Sequence, residues 1–321
     1  MDISIIIVSY NTCELLKKCL ETVYKAIKNL KAEIFVVDNA SSDGSADMVE
    51  SKFPEVILIR NQENLGFSKA NNQALRICSA RYVLLLNSDT EILGNALDVM
   101  VGFMDDHPEV GMINPKLVYP NMELQPFLSK VPSFWKGHFW WTIFWHTPLH
   151  FLFSKQYKDR MYIEKGMDYN KVSEVEWALG ACMMVRKEVL EQVGLLDENF
   201  FFGGEDLDYS IRARRKGWLI YYVPIAVVKH YISGSSIKEY ERRGIAIKKN
   251  EGMFYFCEKH HGLAYTILLR IIILVTNLIY LILRPIKIII SKDKKAEMDK
   301  FRYDLENIKC VFRFKKMIKN S

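Results

Sequence analysis

Short apolar runs alternate with helical patterns along the N-terminal part of the chain. Each run is a few residues long and nearly free of polar side chains, which is typical of a strand buried on both faces. The runs predict four strands: Ile3–Val8, Ile34–Val37, Val56–Ile59 and Tyr82–Leu86. Between them, Thr12–Leu30 and Ser68–Cys78 carry apolar residues at helical spacing. This order predicts an α/β fold with a doubly wound sheet.

Polar residues stand just beyond three of these strands. Asn11 follows the first strand, Asp38 ends the second, and the triplet Asn87-Ser88-Asp89 follows the fourth. Doubly wound sheets bind ligands beyond the carboxyl ends of their strands, so we expect these side chains to line one site. The oxygens of the triplet suit Mg²⁺ or Mn²⁺ bridging a diphosphate. The same triplet is common in ordinary turns. Its position directly after a buried strand favours a cation site over a turn.

A second candidate is the acidic cluster that contains Glu205, Asp206 and Asp208. Three carboxylates in four residues repel one another unless a cation or a proton relieves them. One of them can serve as the general base for an acceptor hydroxyl. Acidic residues also complement a helix N-terminus, and both roles are compatible because Tyr209–Lys216 has a helical pattern. The next turns supply arginines, including Arg212, as counter-charge.

Charge is unevenly distributed along the chain. The 321 residues are 50% hydrophobic, enough for a sizeable core, and the formal net charge is +6. Residues 284–321 contain 12 Lys/Arg against 5 Asp/Glu, so the basic character belongs to the tail. A basic tail favours an anionic membrane surface or a solvated end. Nucleic acid is not expected as a partner, because no nucleic-acid-binding signature accompanies the charge.

The cysteines and the N-terminus both indicate the cytoplasm. The six cysteines form no CxxC pair, which favours free thiols in a reducing compartment. Ile3–Val8 is too short for the apolar core of a signal peptide. We therefore expect the body of the protein to stay in the cytoplasm.

The segment Leu263–Leu283 is apolar and long enough to span a bilayer as a helix that Pro285 ends. Arg270, Asn277 and Arg284 recur every seven residues and form one polar stripe along it. A span would also carry the basic tail to the outer side. We therefore expect a helix that lies in or dips into the cytoplasmic leaflet, and a buried C-terminal helix or a single span as the alternatives.

The stretch Ser133–Phe153 contains four tryptophans. Tryptophan suits interfaces where one edge of the ring is wet. The stretch can bind the lipid part of a polyprenyl-diphosphate acceptor or form an ordinary aromatic core, and both interpretations stay open.

Several motifs together resemble family 2 glycosyltransferases. The opening motifs are Ile5–Asn11, Val36–Ser45 and Leu86–Asp89. Further motifs resemble the rhamnosyltransferase-type branch of that family: Asn64–Phe67 with Asn71, Gly180-Ala181, Glu205–Asp208, Arg212 and Gly217-Trp218. The resemblance spans about residues 3–236 in the family's order, which makes the set specific.

This resemblance implies a GT-A fold, with a mixed central sheet and flanking helices, and an inverting transfer from a nucleotide-diphosphate sugar. It implies that Asp38 binds the pyrimidine base and Asn87 the ribose side. The full set of donor-binding residues is Ser9, Tyr10, Asn11, Asp38, Gly66, Asn71, Asn87 and Asp89. The implied acceptor-binding residues are Trp177, Gly180 and Asp208.

The catalytic and metal roles also follow from the resemblance. It implies that Asp206 is the catalytic base, with Glu205 as the second candidate. Asp89 and His230 would bind Mg²⁺ or Mn²⁺, although a lone histidine is by itself more often structural. The family's first acidic residue of the metal triplet is Asn87 here, and an amide gives the cation no charge. No QxxRW motif is present, so we expect one sugar per encounter.

We expect a glycosyltransferase domain over 1–262, with a nucleotide-sugar half at 1–105 and an acceptor half at 106–262. The segment 263–321 would form a membrane-associating helix and a basic tail. The predicted reaction moves rhamnose from dTDP-rhamnose to a glycan or a polyprenyl-diphosphate-linked acceptor at the cytoplasmic face of the membrane, in cell-surface polysaccharide synthesis.

Three alternatives compete with this prediction. A UDP-sugar donor stays open. A sugar-phosphate nucleotidyltransferase should carry a glycine-rich loop after the first strand, where this chain has Ser9–Thr12. A non-catalytic relative is expected to lose the acidic cluster, which is intact here.

Overall fold

The N-terminal apolar runs form the strands they predict. The computed structural model describes residues 1–126, 167–231, 239–291 and 293–312. Its first elements are β1 (Ile3–Ser9), α1 (Cys13–Ala26), β2 (Ala32–Asp38), α2 (Ser45–Lys52), β3 (Ile57–Arg60), α3 (Phe67–Leu75) and β4 (Tyr82–Asn87). The first helix ends four residues earlier than its apolar spacing predicts. Helix α2 was not predicted, because its sequence shows no clear apolar spacing. The tryptophan-rich stretch Ser133–Phe153 lies outside the described residues, so both of its interpretations stay predictions.

The sheet is mixed, as expected. The later elements are β5 (Thr90–Leu93), α4 (Ala96–Asp106), β6 (Val110–Val118), β7 (Ser173–Glu174), β8 (Cys182–Arg186), α5 (Lys187–Val193), α6 (Glu205–Arg215) and β9 (Leu219–His230). Within the described residues the strand order is β3-β2-β1-β4-β8-β6-β9-β5, with β7 beside β9. The first four strands are parallel. β8 is antiparallel to both β4 and β6, which ends the doubly wound half.

β1 is the centre of the hydrophobic core. Ile3, Ile5, Ile6 and Ile7 are fully buried. Successive side chains of a strand point to opposite faces, so Ile5 and Ile7 pack with helix α1 while Ile6 packs with helix α3. Each buried isoleucine contributes about 1.5–3 kcal/mol relative to exposure. The polar residues that follow β1 are thereby held at a fixed edge of the sheet.

Strand register brings the polar residues to that edge. Ser9 pairs with Asp38 across β1 and β2, and Val8 pairs with Asn87 across β1 and β4. At the far end of the sheet, β5 runs antiparallel to β9 and pairs Thr90 with His230. The histidine therefore lies beside the metal triplet, although about 140 residues separate them in the chain.

The chain divides into two compact units. One comprises Met1–Val131 and Tyr162–Ile237, and the other comprises Pro132–Met161 and Lys238–Ser321. The described helices of the second unit are α7 (Glu239–His261), α8 (Leu263–Ile290) and α9 (Lys294–Val311), which pack on one another. The compact second unit thus includes α7, and the domain boundary at 262 stays a prediction.

Helix α8 continues past the residue that was expected to end it. Pro285 lies inside the helix, which runs to Ile290, so the prediction of a stop was wrong. Proline removes one backbone hydrogen bond and usually kinks or breaks a helix. Here Arg284, next to it, is anchored to α9 by two ion pairs, which hold this part of the helix in place.

A buried ion pair holds helix α6 to the loop before it. The Asp208 side chain is fully buried, and its Oδ2 accepts a hydrogen bond from Arg212 Nε at 2.9 Å. The same guanidinium donates to the carbonyls of Val193 and Leu195. Arg212 therefore supplies the counter-charge that the sequence predicts for the acidic cluster.

Replacing Arg212→Met should lower the free energy of unfolding by about 3 kcal/mol, because it removes the counter-charge of a fully buried carboxylate. Chemical denaturation measures this loss. Arg215→Met, on the exposed side of the same helix, should change stability by less than about 0.5 kcal/mol. Equal effects of the two substitutions would show that the ion pair does not stabilise α6.

Candidate active site

Asp38 carries an oxygen without a hydrogen-bond partner at the edge of the sheet where β1, β2 and β4 end. We call this edge the donor edge, because the nucleotide-sugar donor is expected to bind there. The residue is 4% exposed, and its Oδ2 accepts a hydrogen bond from Ser41 N at 3.1 Å. Its Oδ1 is buried without a hydrogen-bond partner among the described residues. A buried acceptor in this state costs free energy until a donor reaches it. The N–H of a pyrimidine ring is such a donor, so the predicted contact with the base fits this geometry.

Two loops beyond β1 and β2 are hydrogen-bonded to each other. Asn11 has a φ of 54°, a conformation that asparagine tolerates better than most residues. Its backbone N donates to Ser41 Oγ at 3.0 Å, and its Oδ1 accepts from Ser42 N at 2.8 Å. Tyr10 lies half-buried between Ser9 and this junction. The predicted donor pocket is therefore pre-organised by contacts between its own loops.

An amide network centred on Asn39 shapes the loop that contains Gly66. Asn39 Oδ1 accepts from Leu65 N at 3.0 Å and from Asn61 Nδ2 at 3.1 Å. Its Nδ2 donates to Asn64 Oδ1 at 2.9 Å and to Gly66 O at 3.3 Å. One buried side chain thus positions both the β2 end and the following loop.

Gly66 allows this loop to approach the segment before the acidic cluster. Its φ is 81°, and a Cβ there would lie 2.5 Å from the carbonyl oxygen of Phe201. The next residue, Phe67, donates its N–H to that same carbonyl at 2.6 Å. Asn71 donates to the Phe67 carbonyl rather than outward, so its predicted donor contact stays a prediction. Only glycine fits the close approach at position 66.

The candidate metal site is built from Asp89 and His230. Asp89 Oδ1 lies 3.3 Å from His230 Nε2, and both residues are buried. His230 Nδ1 lies 3.0 Å from Gln125 Oε1. In the neutral tautomer whose Nδ1 donates to that amide oxygen, Nε2 carries the lone pair and faces Asp89 and Asn87. An imidazole in this tautomer can bind a cation.

One carboxylate and one imidazole leave most of a cation's coordination to the substrate. Among the described residues, no group of three or more His, Cys, Asp or Glu is arranged to hold a metal ion. Asn87 Nδ2 lies 3.5 Å from His230 Nε2 and brings no charge, as the sequence indicates. Mg²⁺ commonly takes one or two protein carboxylates with the phosphate oxygens of the substrate and water. The residues present therefore fit a divalent cation that binds together with a diphosphate.

Buried hydroxyl groups connect the metal triplet to the first strand. Ser9 Oγ lies 3.0 Å from Thr12 Oγ1, which lies 2.8 Å from Ser88 Oγ. These linked hydroxyl groups connect the ends of β1 and β4 across the donor edge. Ser9 therefore holds the site through its hydroxyl, and its predicted donor contact stays a prediction.

A two-residue bridge links the metal triplet to Asp206. Gly180 N donates to Asp206 Oδ2 at 3.0 Å, and the carbonyl of the next residue, Ala181, accepts from Asn87 N at 3.0 Å. The other oxygen of Asp206 accepts from Leu207 N at 2.8 Å. The structure thus brings the donor-side triplet and the candidate base together, although more than 100 residues separate them in the chain.

The two candidate bases differ in exposure. Asp206 is half-buried, whereas Glu205 is 5% exposed. Both lie in the first turn of α6, after Gly204 in a left-handed conformation. A base must reach the acceptor hydroxyl, so the geometry favours Asp206.

The predicted acceptor residues Trp177 and Asp208 have structural contacts. Asp208 binds Arg212, and Trp177 packs, partly buried, against the core on one face of the sheet. Ala178, next to Trp177, donates its N–H to Ser210 Oγ at 3.0 Å. Acceptor binding by Trp177, Gly180 and Asp208 stays a prediction.

Two positioning residues had no signal in the sequence. Gln125 orients His230 and lies where the hydrophobic pattern weakens. Asn114, 1% exposed in β6, donates to the carbonyls of Leu179 and Cys182 at 3.1 and 2.6 Å and accepts from Leu179 N at 2.8 Å. It therefore clamps both ends of the Gly180-Ala181 bridge. Nothing in the local pattern distinguishes it from an ordinary strand residue.

A family model and several known proteins are similar to this chain. The family model described as "Glycosyl transferase family 2" matches residues 4–194. The N-acetylglucosaminyl-diphospho-decaprenol L-rhamnosyltransferase of Mycobacterium tuberculosis is 25% identical over 240 residues, covering 71% of this chain and 76% of that protein. The dTDP-rhamnosyl transferase RfbF of Shigella flexneri is 25% identical over 240 residues, covering 74% and 71%.

A solved structure shares the fold. The mannosyltransferase PcManGT from Pyrobaculum calidifontis, in complex with GDP-Man and Mn²⁺, aligns with a TM-score of 0.54 at 16% identity over 97% of this chain and 87% of that one. The expectation of a GT-A fold is thereby confirmed.

Asn114→Ala should reduce the rate of sugar transfer at least tenfold, because releasing the Gly180-Ala181 bridge lets Asp206 shift relative to Asn87. It should also cost about 1–3 kcal/mol of stability, since three buried backbone groups lose their partner. Steady-state kinetics and denaturation measure the two effects.

The matched control is Asn72→Ala, which removes a buried asparagine that hydrogen-bonds to the backbone of Leu196. It should lower stability similarly and activity much less. If both variants lost activity in parallel with stability, Asn114 would have no positioning role.

Asp89→Ala and His230→Ala should each weaken Mn²⁺ binding in the presence of a nucleoside diphosphate at least tenfold. Each removes one of the two candidate metal ligands that the described residues bring together here. Electron paramagnetic resonance of bound Mn²⁺ measures affinity without activity, and melting temperature reports on the fold. A His230→Ala variant with a lower melting temperature and unchanged Mn²⁺ affinity would make the histidine purely structural.

Proposed function

Because the chain belongs to glycosyl transferase family 2, we propose that it transfers one sugar from a nucleotide diphosphate to an acceptor hydroxyl with inversion at the sugar carbon. The observation that carries the proposal is the bridge between Asp206 and Asn87 through Gly180 and Ala181. It joins a base to the end of the sheet where a diphosphate would bind. In this proposal the base and the leaving group lie on two sides of one site, as a single displacement needs.

The residues of the chain divide the work of the reaction. Asp38 offers its free oxygen to the base of the donor, and the linked loops around Asn11 hold that pocket in shape. Asp89 and His230 would hold a divalent cation. When bound, the cation supplies positive charge against the diphosphate that departs.

Asp206 completes the chemistry as general base. It takes the proton of the acceptor hydroxyl while that oxygen bonds to the anomeric carbon of the sugar. The bond from this carbon to the diphosphate oxygen breaks, and the electron pair leaves with the nucleotide diphosphate. Hydrogen bonds from Gly180 N and Leu207 N orient the carboxylate toward a defined direction of attack.

We further propose rhamnose from dTDP-rhamnose as the donor sugar. The support is the similarity to proteins named as rhamnosyltransferases, at 25% identity. A UDP-sugar is the alternative, because thymine and uracil offer Asp38 the same N–H and differ only by a methyl group. A screen of purified protein against dTDP- and UDP-sugars, with Mg²⁺ or Mn²⁺ and release of the nucleotide diphosphate as readout, separates the two.

For the acceptor we propose a glycan or a polyprenyl-diphosphate-linked glycan in the synthesis of a cell-surface polysaccharide. The name of the mycobacterial relative describes a lipid-linked acceptor of this kind. Such an acceptor places the reaction at the cytoplasmic face of the cell membrane, with residues 263–321 as the attachment.

Asp206→Asn should lower the rate of transfer by about 10²–10⁴-fold while leaving the Kd for the donor unchanged, because the amide keeps the shape of the side chain but accepts no proton. Transfer kinetics and calorimetric titration of the donor measure the two quantities.

Glu205→Gln is the matched control and should retain most of the activity. If Glu205→Gln were inactive and Asp206→Asn active, the base would be Glu205. If both variants remained active, no carboxylate of this cluster would be the base.

A further inference from the structure

The outward side of helix α8 consists of aliphatic side chains. Residues spaced three or four apart are between 42% and 76% exposed along the whole helix. We call them the aliphatic face: Leu263, Ile267, Ile271, Val275, Leu278, Ile282, Ile286 and Ile289. No charged or hydrogen-bonding side chain is exposed among the described side chains of α8. An exposed apolar stripe of this length marks an interaction surface.

The polar stripe of the same helix points inward. Thr266, Arg270 and Asn277 are at most 6% exposed. Arg270 donates to the carbonyl of Val311, and its guanidinium lies 4.4 Å from the centre of the Phe254 ring. The helix thus buries its polar residues, together with Leu269 and Ile273, and exposes most of its aliphatic residues. A helix on the surface of a water-soluble protein instead exposes its polar side.

Helix α9 supplies the ion-pair partners of Arg284, the last residue of the polar stripe on α8. Arg284 donates to Glu297 Oε2 and to Asp304 Oδ2, each at 3.0 Å. Because Arg270 meets the end of α9 and Arg284 meets its beginning and middle, the two helices run antiparallel, side by side. The orientation of α8 is therefore set by ion pairs, and the aliphatic face has to point away from α9.

The chemistry of the aliphatic face favours lipid as its occupant. Protein interfaces concentrate their binding energy in Trp, Tyr and Arg, with Leu and Val under-represented. This face is built of Ile, Leu and Val, which suit acyl chains that need no defined shape. Lys294 and Lys295 are exposed at the start of α9, and residues 292–321 hold 10 Lys/Arg against 5 Asp/Glu. The excess of basic residues in this part of the sequence favours an anionic surface over a neutral one.

The same packing argues against a helix that spans the bilayer. α9 lies along α8 and exposes charged side chains, among them Lys300, Arg302 and Lys309, each more than half exposed. If α8 crossed the membrane with α9 attached, these charges would enter the hydrocarbon, which is strongly unfavourable. A helix in the plane of the membrane leaves them in water.

We infer that α8 docks by its aliphatic face in the plane of an anionic lipid surface, with α9 on its water side held by the Arg284 ion pairs. The inference rests on the proposed work at a membrane, and it names the attaching surface and its orientation. Apolar length and composition alone are compatible with a span; the inward polar stripe distinguishes the two arrangements.

Vesicle sedimentation tests the docking surface. The full chain should bind vesicles of phosphatidylcholine with phosphatidylglycerol, and the double substitution Ile271→Asn with Ile282→Asn should weaken binding more than tenfold. Both side chains are at least half exposed, so the melting temperature should stay unchanged. Ile225→Asn, a 69% exposed isoleucine in strand β9, is the matched control and should bind like the parent. Equal binding by all three proteins would overturn the inference.

A labelling experiment separates an in-plane helix from a span. The native Cys310 is 1% exposed and reports poorly, whereas Phe312, two residues further, is 62% exposed. A Phe312→Cys variant, with Cys13 and Cys78 replaced by Ser, is added to sealed vesicles and treated with an impermeant thiol reagent. Complete labelling without detergent supports the in-plane helix. Labelling that requires detergent would mean that the helix spans, and would overturn the inference.

Two further measurements test whether a second copy of the chain covers the aliphatic face, and whether lipid docking and the proposed function fail independently. A dimer in the absence of lipid that the double substitution dissociates would assign the aliphatic face to a second copy and overturn lipid docking. Nucleotide release with a water-soluble acceptor should be the same in parent and double variant. Loss of that activity in both would contradict the proposed function and leave the vesicle result standing.

Discussion

The burial of β1 on both faces is the constraint on which the site depends. Its isoleucines pack alternately against two sets of helices, so a slip of one residue in register would move every side chain to the wrong face. That register places Ser9 beside Asp38, and its neighbour Val8 beside Asn87. A hydrophobic requirement at the centre of the sheet thus determines where the polar groups of the donor edge stand.

The acceptor side of the site is held by hydrogen bonds instead of by register. Asn114 clamps the bridge from both ends, and the bridge in turn binds Asp206 and Asn87. Asn39 holds the Gly66 loop in the same way, by hydrogen bonds to Asn64, Leu65 and Gly66. Buried amides that are fully bonded give loops a single conformation, because any alternative would leave polar groups unsatisfied in the interior. In the proposed mechanism, the site combines a fixed carboxylate, Asp206, with a cation whose coordination the substrate completes.

In the second unit, helix α8 buries polar side chains and exposes aliphatic ones, the opposite of the sheet. In the sheet, aliphatic side chains are inside and polar groups lie at the edges, whereas α8 buries Arg270 and exposes most of its isoleucines. Both arrangements satisfy the same free-energy terms, namely burial of apolar area and pairing of buried charges. They differ in the medium that the outer surface meets. A helix of this kind is stable where its outer face leaves water.

The sequence by itself determined the four N-terminal strands and the helical character of α8, because these follow from hydrophobic spacing within one segment. The resemblance of its motifs also determined the family and the mixed fold, both of which were confirmed. No local pattern pairs His230 with Asp89. The resemblance implied that they share a cation, and the pairing of β5 with β9 brings these distant segments together in the fold. Likewise, spacing predicted one polar stripe on α8, but its inward direction and the continuation past Pro285 depend on α9. Local pattern reports which side chains avoid water, whereas the partner each one meets is a non-local property that the folded chain alone decides.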